Sequence, residues 1–224
     1  MKLDAARDRN DDATVPRTEI TRLPENAVQD RERLDELLDG QFVAHVGLVV
    51  DEHPVVLPTA FARDGDMLLI HGSTGSGWMR ALAAGAPASV AVTSVEGLVV
   101  ARSAFESSIR YRSAVLFGRF RPVPAKEKGV ALERLTNALL PGRTAEVRAS
   151  TLKELAATLL LRMPIAEWSL KVSDGWPEDE EEDVAGDAWA GVVPMRISYG
   201  DPLSAPDLRE GINPQPSVRA LSSR

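Results

Sequence analysis

Between Gln41 and Phe120 the chain is a succession of short valine- and leucine-rich runs broken by tight turns, and this pattern restricts the fold more than any other feature. Gln41–Val50 and His53–Phe61 are separated only by Asp51-Glu52, and the second run reaches Met67–His71 through Arg63-Asp64-Gly65-Asp66. Apolar runs joined by so few turn residues read as consecutive hairpins. Further strands are predicted at Ala88–Val95, Leu98–Arg102 and Arg112–Phe120, and a last pair at Ile165–Val172 and Ala190–Ser198 brackets an acidic loop.

Helices are predicted around this block rather than in alternation with it. Glu25–Leu38 carries Val28, Leu34, Leu37 and Leu38 near i, i+3, i+4 spacing and stops at Gly40. Trp78–Ala84, Ala125–Leu140 and Thr151–Leu161 are the other helical stretches. Without βαβ units a doubly wound nucleotide fold is disfavoured. Six or seven strands in about 150 residues predict an α+β domain built on a closing antiparallel barrel. We place that domain at residues 22–200, between a flexible N-terminal segment, 1–21, and a flexible or draped tail, 201–224, which carries four of the 15 prolines.

Composition removes several function classes. The chain has no cysteine, which excludes disulfides, thiolate metal sites and a cysteine nucleophile. Its 33 acids against 26 bases argue against broad nucleic-acid binding. Six of those acids form one run, Glu178–Asp183, so the acidity is local, and the run reads as a solvated loop. No apolar stretch reaches the roughly 18 residues of a membrane span, and the start lacks a signal-peptide core, so a cytoplasmic protein is expected.

The richest local feature is the loop Gly72-Ser73-Thr74-Gly75-Ser76-Gly77. Its glycines and hydroxyls, placed before a helix, suit a phosphate, with Ser76 as N-cap and Arg80 as a charge-assisted contact. The same residues suit an ordinary strand-to-helix connection, and local sequence leaves both readings open. A Walker loop is ruled out because Trp78-Met79 replaces the required lysine and hydroxyl residue, and the dinucleotide pattern fails at Arg80. His71 ends a strand just before this loop, either beside a ligand or satisfied by the backbone. Neither an HExxH face nor a G-x-S-x-G elbow is present, and no metal site is expected from His45, His53 and His71. Arg110-Tyr111-Arg112-Ser113 opens a strand with two guanidiniums and a phenol, fit for an anion and a flat ring or for a solvated strand start. Trp189 is either a ring-stacking wall or a core aromatic.

Taken in order, these segments resemble the pyridoxamine 5′-phosphate oxidase-like flavoproteins, in the actinobacterial branch related to nitroimidazole-resistance reductases. The matching residues include Pro58-Thr59, Ala62–Asp66, His71–Ser76, Ala101–Phe105, Tyr111-Arg112-Ser113, Glu127-Lys128, Pro141-Gly142-Arg143, Lys153–Thr158, Ser169, Lys171 and Trp189-Ala190-Gly191. The resemblance covers about residues 22–200. It implies a Greek-key FMN-binding split barrel that dimerises, with FMN in clefts at the interface.

On that resemblance Ser73 and Ser76 would hold the phosphate, with Arg80 nearby. Pro58, Thr59 and Ala60 would border the ring, with His71 and Gly72 between. Tyr111, Arg112 and Ser113 would reach the cofactor from near the subunit boundary, and Trp189 would help close the site. The implied activity is hydride transfer through flavin N5 to or from a small molecule, with NAD(P)H as donor and His71 as the catalytic proton donor. Neither nucleic acid nor membrane is an expected partner. Relatives often carry histidines and an asparagine where this chain has Glu106-Ser107-Ser108-Ile109-Arg110. Haem binding, or a ligand-binding protein or biosynthetic enzyme with altered cofactor use, are the alternatives.

Overall fold

A 3-10 turn at Pro24–Asn26 leads into a two-residue strand, β1 (Ala27–Val28), and then helix α1 (Arg31–Asp39). The computed structural model describes residues 16–223, so most of the N-terminal segment expected to be flexible lies outside the described residues. The first helix starts later than its apolar spacing predicts. Asp30 is the N-cap, its side chain accepting from the Glu32 N–H at 2.9 Å, and Val28 belongs to the sheet. Leu34, Leu37 and Leu38 are buried, and Gly40 ends the helix as expected.

Strands β2 (Val43–Val50) and β3 (His53–Asp64) form the predicted hairpin. Asp51 and Glu52 both take positive φ, 48° and 65°, as a two-residue primed turn requires. Gly65 (φ 60°) then turns the chain into β4 (Met67–Ser73). After α2 (Gly77–Ala83) comes β5 (Pro87–Val100), one bulged strand where two short ones were expected. The bulge falls between Val95 and Gly97, where a Cβ on Gly97 would lie 2.9 Å from the Val193 carbonyl oxygen. β6 (Ser108–Arg119) and β7 (Arg121–Pro122) follow, then α3 (Lys128–Leu139) and α4 (Leu152–Ala157).

The helix expected over Thr151–Leu161 is cut short. Thr151 and Glu154 form a capping box, the helix ends at Ala157, and Thr158–Pro164 becomes β8, pairing along the whole of β4. Leu160, Leu161 and Met163 are buried by this pairing, and burial overrides their helix propensity. β9 (Glu167–Ser173), α5 (Glu181–Val184), β10 (Gly191–Pro194) and α6 (Pro216–Arg219) complete the chain.

The strands join in the order β1-β9-β6-β5-β2-β3-β4-β8-β7, all antiparallel, with β10 added to β5. This is an α+β split barrel: ten strands, more than the six or seven expected, because the two-residue strands β1 and β7, and β8 in place of a helical stretch, add to the frame. The barrel is not closed by a continuous ladder. Instead β6 and β7 are consecutive in sequence, so the chain leaves one side of the sheet and joins the other at Phe120, which is fully buried. The interior is filled by alternate residues such as Val46, Val90, Leu116 and Ile70, with α1 packed against them. A second cluster joins Ala131 and Leu135 of α3 to Ala62, Leu69 and Leu160 on the outer side.

Arg63 ties β3 to α1 through Asp39 at 2.5 Å and Asp35 at 3.2 Å. The tail is tied to the body at Ser217, whose N–H and hydroxyl both donate to Glu146 (2.9 and 2.5 Å). One contact works against the fold: Arg121 of β7 stands directly opposite Arg162 of β8, and like charges so placed destabilise by roughly 0.2–1 kcal/mol. Phe120→Ala is expected to cost about 3–5 kcal/mol in urea denaturation, a core-aromatic loss at one of the crossings between the two sides of the sheet.

Candidate functional site

β3 and β4 pair from Asp64↔Met67 to Phe61↔Ile70 and no further. Beyond that point Ala60 stays on β2, opposite Val43, while His71 stays on β8, opposite Leu160. The hairpin arms therefore separate, leaving Pro58-Thr59-Ala60 and His71-Gly72-Ser73 along the two edges of a cleft with no ladder between them. Six of the residues singled out from sequence are brought together here. Alternation along the strands puts Pro58, Ala60, His71 and Ser73 on the outer face of the barrel, and Thr59 and Gly72 on the inner one. A Cβ on Gly72 would meet the Met79 side chain at 3.1 Å, which is how α2 packs so closely under the cleft.

His71 is the chemically exposed point of this arrangement. Its Nδ1 is buried and makes no hydrogen bond among the described residues. Burial also lowers its pKa below the ordinary histidine value, so the ring is neutral at neutral pH. A buried ring nitrogen without a partner is costly, and a bound group that supplies one would remove that cost. The other histidines do not join it. His45 is exposed on β2 opposite Pro58, and His53 sits in the hairpin turn with Nδ1 donating to the Asp51 carbonyl at 2.6 Å. Among the described residues no metal-ligand cluster forms.

The glycine-rich loop uses most of its own donors. The Thr74 N–H donates to Ala157 O (3.1 Å), the Gly75 N–H to Ser73 Oγ (3.1 Å) and the Ser76 N–H to Ser73 O (3.0 Å). Arg80 caps the loop carbonyls of Gly75 (2.8 Å) and Thr74 (3.3 Å). Ser76 is the N-cap residue of α2, yet its side chain makes no capping bond and its hydroxyl remains available.

Tyr111, Arg112 and Ser113 lie elsewhere. They sit on β6, separated from β3 by β5 and β2, roughly 14 Å away at the usual strand spacing. Tyr111 and Ser113 share the outer face with Pro58 and Ala60, whereas Arg112 turns inward and binds Glu96 at 2.5 Å, with Glu36 of α1 at 3.9 Å. Trp189 precedes β10, which pairs with β5; it is 65% exposed, and a Cβ on Gly191 would fall 2.8 Å from its ring.

Arg110, read from sequence as a pocket residue, holds the segment after β9 instead. It donates to Gly175 O at 3.0 Å and its guanidinium lies 5.1 Å from the centre of the Trp176 ring. Asp179 corrects the reading of the acidic run as wholly solvated. Its carboxylate is 1% exposed and accepts from the Arg102 N–H (2.6 Å) and guanidinium (2.9 Å). Six consecutive acids give no sign of which one is anchored. Glu96 was also missed, because its partnership with Arg112 depends on the β5 bulge.

The family described as pyridoxamine 5′-phosphate oxidase matches residues 30–172. No curated protein matches the chain. Among solved structures, the chain is similar to the FAD and haem binding protein from Mycobacterium smegmatis, with 57% identity over 88% of this chain and 97% of that one and a TM-score of 0.86. It is similar to the flavocytochrome Anf3 from Azotobacter vinelandii at 33% identity, covering 92% and 96% of the two chains, with a TM-score of 0.85. A structure assigned to 5-nitroimidazole antibiotic resistance from Bacteroides thetaiotaomicron, at 18% identity over 65% and 86% with a TM-score of 0.56, shares the fold.

Because the folded state holds His71 neutral, the unfolded chain binds the extra proton as pH falls through the ordinary histidine value of about 6.5. His71→Gln is therefore expected to lose less stability than the parent between pH 7 and pH 5, compared by urea denaturation at both. Asp179→Ala should cost roughly 1–3 kcal/mol and speed proteolytic cleavage between residues 174 and 190.

Proposed function

Because the chain belongs to the pyridoxamine 5′-phosphate oxidase family, we propose that it is a flavin-dependent oxidoreductase that also binds haem, working as a cytoplasmic homodimer. The observation that carries this reading is 57% identity over nearly the whole length of a protein named for both FAD and haem. The flavocytochrome at 33% identity supports the same pair of groups. No helix among the described residues is long and apolar enough to cross a membrane; the cytoplasmic placement rests on sequence alone.

The residues present fit a flavin. Two diverging strand edges, Pro58–Ala60 and His71–Ser73, offer backbone groups with no ladder between them, and the Ser73 and Ser76 hydroxyls stand at one end. We infer FAD rather than FMN. The loop commits its Thr74, Gly75 and Ser76 amides and the Arg80 guanidinium internally, which leaves few donors for a terminal phosphate dianion. Tyr111, Ser113 and Trp189 lie too far across one chain to reach the cleft, and a second subunit docked on the outer sheet face would bring its own copies there. Val43, Val49 and Val56 are exposed on that face, as an apolar dimer contact requires.

When bound, a flavin supplies hydride transfer at N5 and haem supplies one-electron exchange. His71 meets the bound group. Its lowered pKa makes it a poor proton source at neutral pH, and a neutral imidazole is the form that ligates iron. We infer that His71, whose buried Nδ1 lacks a partner among the described residues, would be the residue to hold a haem iron, in preference to the proton-donor role. Reduced nicotinamide is the proposed donor, and a small oxidised molecule the acceptor.

Purified protein should show a flavin visible band together with a haem Soret band, release FAD on denaturation, and elute as a dimer. Protein that binds neither group when supplied with both sinks the reading. His71→Ala should abolish the Soret band while His45→Ala and His53→Ala keep it; a Soret band retained in His71→Ala returns the ligand to another residue.

A further inference from the structure

A second cavity lies at the corner where β6, β7 and β8 meet, with a volume of about 490 Å³. It is separated from the cleft by the length of β4: Met67 lines the cavity and Ser73 borders the cleft, roughly 20 Å apart along an extended strand. Its floor is apolar, formed by Met67, Phe117 and Pro164, and three arginines, Arg119, Arg121 and Arg162, line it.

The charges around it do not balance. Arg162 is answered by Glu127 at 3.0 Å. Glu167, the acid in the cavity lining, is bound by Arg17, whose guanidinium also lies 5.1 Å from the centre of the Phe117 ring. Arg119 donates to the Gly85 carbonyl, and Arg121 has no acceptor among the described residues. Arg121 is moreover in direct register with Arg162 across the β7–β8 pair. Two like charges so placed repel each other, and an anion between them would turn that repulsion into a bridge.

We propose that this cavity binds a soluble organic phosphate ester, its phosphate held by Arg121, Arg119 and Arg162 and its apolar body resting on Phe117 and Pro164. Guanidinium forks match phosphate oxygens two at a time, which a single ammonium does not. The floor selects an ester over inorganic phosphate because free phosphate leaves the apolar surface in water. The inference stands independently of the flavin and haem reading.

The test is calorimetric titration of the full chain, as purified, with phenyl phosphate, inorganic phosphate and phenol. Phenyl phosphate should bind one per chain, at least tenfold tighter than either fragment, and raise the melting temperature. Arg121→Gln should weaken it at least tenfold. Without ligand, the same variant should melt no lower than the parent, since it loses a repulsion and no bond. Phenyl phosphate binding that survives Arg121→Gln, or that is no tighter than inorganic phosphate, overturns the proposal. So does an Arg121→Gln protein that melts below the parent without ligand, because Arg121 would then have a structural partner.

Discussion

An antiparallel sheet that curls back on itself has to dispose of two edges, each a row of unpaired N–H and C=O groups. Here the answer is covalent. The chain passes from β6 on one side to β7 on the other through Phe120, and the buried ring anchors that passage. Because the two sides are joined at this corner, the ladder between β3 and β4 is free to open at the opposite end, beyond Phe61↔Ile70. The cleft exists because closure occurs elsewhere. The packing of α1 beneath the barrel and of α3 on its outer face rests on the same frame.

Much of this was legible in the residues. Asp51-Glu52 and Gly65 are turns whose chemistry is local, so the first two hairpins could be read directly. The α4–β8 boundary could not, because Leu159-Leu160-Leu161 is equally apolar in either conformation. Only the partner strand β4, distant in sequence, decides it. The β5 bulge was hidden for a related reason: Glu96-Gly97 looks like a turn, and the close approach of the Val193 carbonyl is a tertiary fact.

The site was legible in the same uneven way. His71, Gly72 and Ser73 follow from their place between a strand and a glycine-rich loop, and Pro58–Ala60 from the resemblance to a family. Which charges were already committed was not visible. Arg80, Arg110 and Arg112 are long side chains whose partners, the loop carbonyls, Trp176 and Glu96, come from backbone turns and loops that no spacing rule relates to them. Arginines beside an expected pocket are thus a weak guide to ligand contacts until the carboxylates and carbonyls around them are placed.

The Asp179 anchor has an effect on the protein's electric field. By tying its loop to Arg102, it holds the other five acids of the run near the start of β6, where Arg110 binds the same segment. The unbalanced arginines, Arg119 and Arg121, lie at and just past the far end of that strand, roughly 35 Å along it. Opposite charges are therefore concentrated near the two ends of β6. Their field turns an approaching anion toward the arginine end and a cation toward the acidic end before contact, an orienting effect on encounter rates that fades as ionic strength rises.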